Sequence, residues 1–432
     1  MRGAAREGPV MTSYEDALAE ILRNVAPLEA EEASLPRCVG QVMAEDVRSS
    51  YDLPALDTCG PDGYAVRSED VRGASPADPV ALRIAGAVRA GRLPRRRLRP
   101  GEAVRVMTGS PVPQGADCVV PFESTDEPGD KNGPRADDPS EVKILRAGTP
   151  GANIRRAGSN AAKGSLVLPR GTSVGPAQIS ALAAMGRSTV NVVRRPVVAI
   201  VSTGDELTSL RSPLRPGRSY DCNSTAIAAL VSHYGGIPRV LGIARDNEAS
   251  LMAKLRRGLN ADAVITSGGV SKGDYDLVRL VVAKLGAVIL SRIGMGPGAS
   301  FAFGLLERDA TGAAAAAIPI FALSGPPVGC LTNFETLVRP ALLKMLGFRQ
   351  LSHPVADAVV EDGIRERKPM PFVKWARVSG RRGQDHVVLN GGDGLGSLAA
   401  MAMANCLTVI PEGTVVRRGD RLPVLPLDWT RD

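Results

Sequence analysis

The segment TSGGVSKGDYD, residues 266–276, combines two adjacent glycines with two aspartates. Glycines let backbone N–H groups approach a phosphate closely, and a helix that follows them adds its positive N-terminal end. Ser267 and the glycine pair would form this cradle, with Asp274 and Asp276 beside it. N–H donors next to carboxylates suit a phosphate compound bridged by Mg²⁺. Taken alone, the segment is explained equally well by a tight turn with an aspartate N-cap.

Two further acidic segments follow apolar runs. STGDEL carries Asp205 and Glu206, and ARDNEASL carries Asp246. Asp246 by itself is most simply the N-cap of the helix that follows it. Three acidic loops after strands of one sheet are less ordinary, because clustered carboxylates repel one another unless a cation or a reaction uses them.

The elements that must position these loops follow a strand–turn–helix order between residues 195 and 347. Apolar runs such as VVAIV and AVITS end in polar or glycine-containing turns and lead into helical patterns. This order predicts a doubly wound α/β domain. In such domains ligands bind beyond the carboxyl ends of the strands, so loops 202–207, 266–276 and 323–327 form the candidate site.

The rest of the chain has a different pattern. A first helix is predicted by the capping-box spacing of Ser13 with Asp16, or of Thr12 with Glu15. Short β-like runs between Pro and Gly turns follow, and further short β-like runs close the chain. The sequence therefore predicts an α/β multidomain protein, with a β-rich domain before the doubly wound domain and a small β domain after it.

Composition limits the partners. The 432 residues exceed one compact core and suggest roughly two to four domains. The net charge of +8 suggests an anionic partner, or simply a well-solvated surface. The arginine-rich run at 91–100 lacks the aromatic residues that stack on bases, so no nucleic-acid partner is expected. Six cysteines without a C-x-x-C pair fit the reducing cytoplasm, and no run is apolar and long enough to predict a membrane span.

Other catalytic motifs are absent from the sequence or weak. The chain contains neither G-x-x-x-x-G-K-[ST] nor G-x-S-x-G. The glycine-rich stretches 294–300 and 391–397 resemble dinucleotide-binding loops but do not begin a strand–helix unit, so turns are the better interpretation. Cys59 has no histidine near it in sequence, and the three histidines are too scattered to indicate a zinc site.

Taken together and in order, the motifs resemble those of the MoeA/gephyrin E-domain family, the molybdenum insertases of molybdenum-cofactor biosynthesis. The resemblance runs over the chain from about residue 13. The segments that carry it are DLPALD and DGYAVR, GEAVRVMTGSPVPQGADCVVPFE, NIRRAGSN, VVAIVSTGDEL, YDCNSTAIAALV, GIARDNEASL, ADAVITSGGVSKGDYD, PIFALSGPPVGC with NFETLVRPALLKMLG, and GSLAAMAMANCLTVIPEG.

This resemblance implies an elongated homodimer of four-domain subunits. The active site would lie between the α/β domain, which is similar to molybdopterin-binding proteins, and the β-rich domain of the other subunit. The implied domains are the α/β domain at 13–27 and 195–347, a linking domain at 28–51 and 145–194, the β-rich domain at 52–144 and the C-terminal β domain at 348–432.

The implied activity is insertion of molybdate into adenylylated molybdopterin (molybdopterin-AMP), with Mg²⁺ and with release of AMP. The adenylyltransferase of the same pathway becomes a candidate partner. By resemblance the catalytic residues are Asp62, Glu206, Asp246 and Asp276, of which the last three would hold Mg²⁺. The substrate-binding residues would be Thr108, Gly109, Thr203, Ser267, Gly268, Gly269, Ser271, Asp274 and Pro327.

The chain also departs from the family pattern. The P-G-K-P motif with flanking lysines becomes GPGAS, with Gly296 and Ala299 where lysines are expected, and L-P-G-N-P-V-S becomes LSGPPVGC. D-N-S-A-M-D-G-Y-A becomes DTCGPDGYA, and G-E-D becomes GSN. Two hypotheses remain: a divergent active insertase that uses a nearby Arg or Lys272 instead, and a catalytically weakened paralogue that binds pterin or a partner as an assembly module. Molybdate and tungstate have the same charge and nearly the same size, so both stay open as the oxyanion.

Overall fold

The structure, a computed structural model, describes residues 11–127, 140–269, 277–308, 317–381, 383–389 and 397–430. The chain divides into two compact units. The first unit comprises Met1–Ala44, Gly171–Gly175 and Thr189–Asp432, and the second comprises Glu45–Arg170 and Pro176–Ser188.

The described residues form eight α-helices. They are α1 (Tyr14–Arg23), α2 (Pro176–Ala184), α3 (Cys222–His233), α4 (Glu248–Gly258), α5 (Leu277–Leu285), α6 (Pro327–Asn333), α7 (Arg339–Met345) and α8 (Ser397–Ala402). A π-helical turn, Phe334–Val338, joins α6 to α7, and Phe122–Ser124 form a 3₁₀ turn. The Ser13 side chain caps α1 by accepting a hydrogen bond from the Asp16 N–H, as the capping-box spacing predicts. Within the described part of the chain, no helix has the length and apolar character to cross a bilayer.

Twenty-four strands are present among the described residues. They are β1 (Ala30–Ser34), β2 (Val47–Arg48), β3 (Thr58–Cys59), β4 (Gly63–Val66), β5 (Val80–Val88), β6 (Glu102–Val106), β7 (Cys118–Pro121), β8 (Glu141–Ile144), β9 (Ile154–Arg155), β10 (Leu166–Leu168), β11 (Thr189–Val193), β12 (Val197–Thr203), β13 (Leu207–Thr208), β14 (Ser219–Tyr220), β15 (Ile237–Ala244), β16 (Ala263–Ser267), β17 (Gly286–Ser291), β18 (Ala302–Leu306), β19 (Ile318–Leu323), β20 (Ala356–Val360), β21 (Phe372–Arg381), β22 (Gln384–Val388), β23 (Cys406–Ile410) and β24 (Arg421–Pro426).

A six-stranded sheet of order β15-β12-β16-β19-β18-β17 forms the centre of the first unit. Strands β15, β12, β16 and β19 are parallel, while β18 and β17 are each antiparallel to their neighbour. The register pairs Ser202 with Ser267, and Ser267 with Leu323. The carboxyl ends of three strands therefore meet at one edge of the sheet.

Helices cover both faces of this sheet. Val198 and Ile200 of β12 pack in a core with α1 and α3, whereas Ala199 and Val201 pack in a second core with α4 and α5. Alternate residues of one strand point to opposite faces, so a strand that is apolar throughout is buried on both sides. This arrangement confirms the predicted doubly wound α/β domain.

The first unit also contains a small closed barrel of order β20-β22-β21-β23-β24. Its interior is apolar, but Val373 and Trp375 of β21 instead join the core beneath α3 and α6. The Trp375 Nε1–H donates a hydrogen bond to Thr332 Oγ1 of α6 at 2.9 Å. The barrel confirms the predicted C-terminal β domain, and these contacts fix β21 against the α/β domain.

The second unit is rich in β-structure, as the sequence predicts. A five-stranded sheet of order β7-β4-β6-β5-β8 surrounds a core in which Tyr64 is fully buried. Gly63 precedes it in β4, and a Cβ at this position would lie 2.1 Å from the Val120 carbonyl oxygen. No other residue fits between these paired strands, so the glycine of DGYAVR is required by the fold of this unit.

A buried carboxylate makes the stability of the second unit depend on pH. Glu102 Oε2 accepts hydrogen bonds from Arg96 Nη1 at 2.7 Å and from the Arg99 N–H at 3.1 Å, and Arg83 bonds the other oxygen. The bond from Arg96 is the main cause that lowers the pKa of Glu102 from 4.5 to about 2. A carboxyl with a lowered pKa stabilises the fold above its unfolded pKa, and that contribution is lost as the pH falls.

We therefore predict that Glu102→Gln lowers the free energy of unfolding at pH 7 by about 1.5 to 3 kcal/mol. The difference from wild type should shrink as the pH falls below 4.5 and vanish near 2. Urea unfolding followed by circular dichroism over this pH range measures it. Glu69→Gln is the matched control, since Glu69 is 71% exposed and its pair with Arg67 contributes little. If Glu102→Gln lowered the free energy of unfolding by the same amount at every pH, the lowered pKa of Glu102 would not be the source of its stabilising effect.

Candidate active site

A large cleft in the first unit opens at the carboxyl ends of β12, β16 and β19. Its volume is about 1750 Å³. Thr203, Ser267 and Ser324 lie on the wall formed by the sheet, and Phe372 and Lys374 of β21 lie on the wall formed by the barrel. This is the edge at which doubly wound sheets bind ligands, and it is where the sequence predicts the site.

Two of the predicted acidic residues line this cleft. Glu206 follows β12 and Asp246 follows β15, and both are exposed to solvent. The neighbouring Asp205 holds the second loop in place: its N–H donates to Asp246 Oδ2 at 3.0 Å, and its Oδ1 accepts from the Asp246 N–H at 3.3 Å. At Gly204 a Cβ would lie 2.5 Å from Glu206 Oε2, so the glycine leaves room for this carboxylate.

The donor set fits a magnesium ion that is shared with a substrate. Mg²⁺ commonly takes one or two carboxylates together with phosphate oxygens and water. Glu206 and Asp246 offer two carboxylates, and the described residues contain no group of three or more His, Cys, Asp or Glu side chains placed to hold a metal alone. The third predicted ligand, Asp276, lies outside the described residues, as do Ser271 and Asp274.

The glycine pair after β16 brings the backbone close to β12. Gly268 and Gly269 have φ of +90° and +73°, which is the left-handed region that favours glycine. A Cβ at Gly268 would lie 2.5 Å from the Thr203 carbonyl oxygen, and one at Gly269 would lie 2.8 Å from Thr203 Oγ1. The Gly268 N–H donates to the Leu323 carbonyl at 3.1 Å, so it serves the fold. The two glycines therefore let this turn pack directly against Thr203. Ser267, the last residue of β16, comes immediately before them.

Asn223 joins two of the strand ends, and the sequence analysis missed it. It is 9% exposed, and its Nδ2 donates to Ser267 Oγ at 2.7 Å and to the Gly325 carbonyl at 2.8 Å. Asp221 caps this helix by accepting from the Ser224 N–H. Asn223 therefore lies in the first turn of α3, with its side chain in the cleft wall. The D-x-N spacing was the available signal.

The two loops that depart from the family pattern are bonded to each other. The Ser324 hydroxyl donates to the Ser300 carbonyl at 2.8 Å. Asn333, which is fully buried, donates to the Gly298 carbonyl at 2.9 Å and accepts from the Ser324 N–H at 3.2 Å. Pro327, a predicted substrate-binding residue, begins α6 beside them and lines the cleft. These contacts hold the altered loops in one arrangement.

The predicted residues of the second unit form a small cluster of their own. Asp62 Oδ1 accepts hydrogen bonds from the Thr108 N–H at 2.7 Å and from Thr108 Oγ1 at 2.8 Å. Gly109, with φ of +77°, donates its N–H to the Cys59 carbonyl at 2.9 Å. The Cys59 thiol is fully buried, and burial raises its pKa, so it is not a nucleophile. The catalytic role of Asp62 stays a prediction from the sequence.

The α/β domain that holds the sheet edge matches a class of molybdopterin-binding domains. The family model described as "Probable molybdopterin binding domain" matches residues 199–344, which contain the sheet and its loops. The model described as "MoeA N-terminal region (domain I and II)" matches residues 12–186. The two matches together cover most of the chain, and the chain belongs to the MoeA family.

Known proteins are similar over nearly the whole chain. The "Molybdopterin molybdenumtransferase 2" of Mycobacterium tuberculosis is 35% identical over 422 residues, which is 96% of this chain and 98% of the relative. The "Molybdopterin molybdenumtransferase" of Bacillus subtilis is 34% identical and covers 89% of this chain and 87% of its own length. The solved "molybdopterin biosynthesis moea protein" of Pyrococcus horikosii has a TM-score of 0.81 and 31% identity, with 96% of this chain and 99% of that chain covered.

We predict that Asn223→Ala loosens the cleft wall. The substitution leaves a hydroxyl and a carbonyl without their shared donor, and the expected loss in free energy of unfolding is about 1 to 3 kcal/mol. Hydrogen exchange should accelerate around Ser267 and Gly325. Asn260→Ala, at an exposed position of the same unit, should change both measures little. Unchanged exchange in both segments would contradict the positioning role of Asn223.

Proposed function

We propose that this chain is a molybdenum insertase, which transfers molybdate into adenylylated molybdopterin with Mg²⁺ and releases AMP. The observation that carries this proposal is the cleft itself. Glu206 and Asp246 line it, together with the glycine turn 268–269 that packs against Thr203. The sheet wall of the cleft lies in the region that matches the molybdopterin-binding domain.

The residues present would hold a magnesium ion together with a phosphate. Glu206 and Asp246 would be its ligands from the described residues, with Asp276 as the predicted third. Bound there, the ion would neutralise charge on the phosphate oxygens of the substrate. Ser267 would orient these oxygens, because Asn223 fixes the position of its hydroxyl.

The barrel wall suits the flat pterin ring. Phe372 of β21 and Leu398 of α8 line it, and Leu280 of α5 adds apolar surface from the α/β domain; both leucines are 57% exposed. A bound pterin would cover this apolar surface and exclude water from it, which favours binding. The polar side chains at the strand ends and the apolar side chains Phe372 and Leu398 would therefore contact chemically different parts of an adenylylated pterin phosphate.

The rival hypothesis is a weakened paralogue that binds pterin without turnover. The observation in its favour is the absence of both expected lysines, at Gly296 and Ala299. The two hypotheses differ in one measurable quantity, the release of AMP.

We predict that the purified protein releases AMP from adenylylated molybdopterin when molybdate and Mg²⁺ are present. Glu206→Gln removes one carboxylate charge from the cleft and should lower kcat by about 100-fold. Glu248→Gln is the matched control, because Glu248 pairs with Lys284 and does not line the cleft. AMP release by the wild type no faster than in a protein-free mixture would reject the insertase and favour the paralogue.

We further propose a homodimer in which Asp62 of one subunit completes the cleft of the other. A shared site makes a specific prediction for mixtures of two inactive variants. Asp62→Asn and Glu206→Gln subunits, mixed and allowed to exchange, form mixed dimers with one intact site each. Random pairing of equal amounts should restore about one quarter of wild-type activity.

Light scattering of the individual variants should show that both are dimeric, and native mass spectrometry of one tagged and one untagged variant follows their exchange. Mixed subunits that stay inactive while they demonstrably exchange would place Asp62 and Glu206 of one site on the same subunit. A monomer in solution would also exclude the shared site.

We propose the cytoplasm as the site of action and the pathway's adenylyltransferase as a partner. All six cysteines are free thiols, and five of them are buried. Free thiols persist where glutathione and thioredoxin keep them reduced.

A further inference from the structure

Both tryptophans of the chain lie where the barrel meets the α/β domain. Trp375 belongs to β21 and Trp429 follows β24, and the centroids of their rings are 6.2 Å apart. Trp375 bonds Thr332 at the end of α6. Trp429 donates its Nε1–H to Glu335 Oε1 at 3.1 Å, and Glu335 belongs to the π-helical turn that follows α6. The two rings therefore attach the barrel to adjacent turns of one helical segment.

The segment that carries Trp429, residues 427–430, is anchored to the α/β domain at three consecutive positions. Leu427 is buried in the same core as α3 and α7. Asp428 Oδ1 lies 3.2 Å from Nε2 of His233, the last residue of α3. Trp429 then bonds Glu335. We call residues 427–430 the strap, because they tie the end of β24 to the α/β domain.

Glu335 is the buried carboxylate that holds the strap. It is 1% exposed, and its Oε2 accepts a hydrogen bond from the Tyr234 hydroxyl at 2.9 Å. Burial and the charge of Glu335 raise the pKa of Tyr234, so this hydroxyl stays protonated and donates. A buried carboxylate is unfavourable unless hydrogen bonds compensate it. One of its two hydrogen bonds comes from the strap, so Glu335 is fully compensated when the strap is docked.

Basic side chains complete the surroundings of Glu335. His353 Nε2 lies 3.2 Å from Glu335 Oε2, and Arg339 Cζ lies 5.0 Å from the centroid of the Tyr234 ring. Both basic side chains are buried, and Arg339 donates its Nη1–H to the Leu351 carbonyl at 3.0 Å. π-Helical turns are rare and frequently lie at functional sites. Here the turn presents a carboxylate to donors from α3 and from the strap.

Strand β21 connects the strap to the cleft. Its Trp375 lies beside the strap, and Phe372 of the same strand lines the cleft. The loop before β18 pairs with the start of this strand, since the Gly296 N–H donates to the Pro371 carbonyl at 2.9 Å. Neither Glu335 nor the strap lines the cleft. Any effect of theirs on a bound substrate therefore passes through β21.

We propose that Glu335 is a positioning residue for the reaction in the cleft: it keeps the strap docked and thereby holds β21, the barrel wall, in its binding position. The inference rests on the proposed function, since the substrate concerned is adenylylated molybdopterin. Glu335 touches no substrate and acts through Trp429 and Trp375. When only a fraction of the molecules has the wall in place, the apparent affinity falls by that fraction.

The test replaces Glu335 by leucine in the full chain, which leaves the Trp429 and Tyr234 donors without their acceptor. If about one molecule in ten then keeps the strap docked, the KM for adenylylated molybdopterin should rise about tenfold. The kcat of AMP release should change by less than about twofold, because the bound complex is docked. Glu335→Gln keeps an acceptor for Trp429 and should restore most of the affinity.

Tryptophan fluorescence follows the strap without any need for activity. Because both tryptophans lie at the junction, undocking should shift their emission to longer wavelength and increase quenching by acrylamide. Glu335→Leu should show this change, and saturating adenylylated molybdopterin should reverse it. Glu412→Leu is the matched control, since Glu412 is exposed between β23 and β24 and does not line the cleft. Circular dichroism confirms that each variant is folded.

Three results would overturn the positioning role: unchanged fluorescence in a folded Glu335→Leu, a displaced strap with wild-type KM, or a large loss of kcat at unchanged KM. If the wild type releases no AMP, its dissociation constant for adenylylated molybdopterin takes the place of KM. Weaker binding by Glu335→Leu would then support this inference while rejecting the insertase. A wild type that neither releases AMP nor binds this compound would overturn both.

Discussion

The site depends on the parallel register of three strands. Ser202, Ser267 and Leu323 lie side by side in β12, β16 and β19. The loops that follow these three strands therefore begin next to one another at one edge of the sheet. Parallel pairing of this kind needs strands buried on both faces, and the alternating packing of β12 into two cores supplies that burial. Without this register, Glu206 and the glycine turn would not share one cleft.

Buried amide side chains convert the sheet edge into a defined cavity. Asn223 bridges the ends of β16 and β19, and Asn333 with Ser324 bridges β19 to the loop before β18. Each bond satisfies a backbone or hydroxyl group that would otherwise be unpaired beside the cleft. The loops that differ from the family pattern are therefore joined by hydrogen bonds of their own.

The fold and half of the site were predictable from local patterns. Apolar runs followed by glycine or acidic turns predict parallel strands and the edge at which they end, which is how Glu206, Asp246 and Gly268 were placed. Asn333 could not be found this way, because its role depends on contacts between segments far apart in the sequence. Gly63 shows the reverse case. It belongs to the motif DGYAVR that carries a predicted catalytic aspartate, but glycine is needed there because the Val120 carbonyl oxygen packs against it.

The loop before β18 is paired with the barrel strand β21, because the Gly296 N–H donates to the Pro371 carbonyl and the Val373 N–H donates to the Gly296 carbonyl. This pairing couples binding in the cleft to the docking of the barrel. The cleft has one wall from the sheet and one from the barrel, so any ligand that touches both walls is bound by two elements at once. By reciprocity, the free energy by which such a ligand strengthens the docking of β21 equals the free energy by which docking strengthens its binding. The barrel is thus thermodynamically linked to the ligand, and a substitution at their junction alters affinity and domain mobility together.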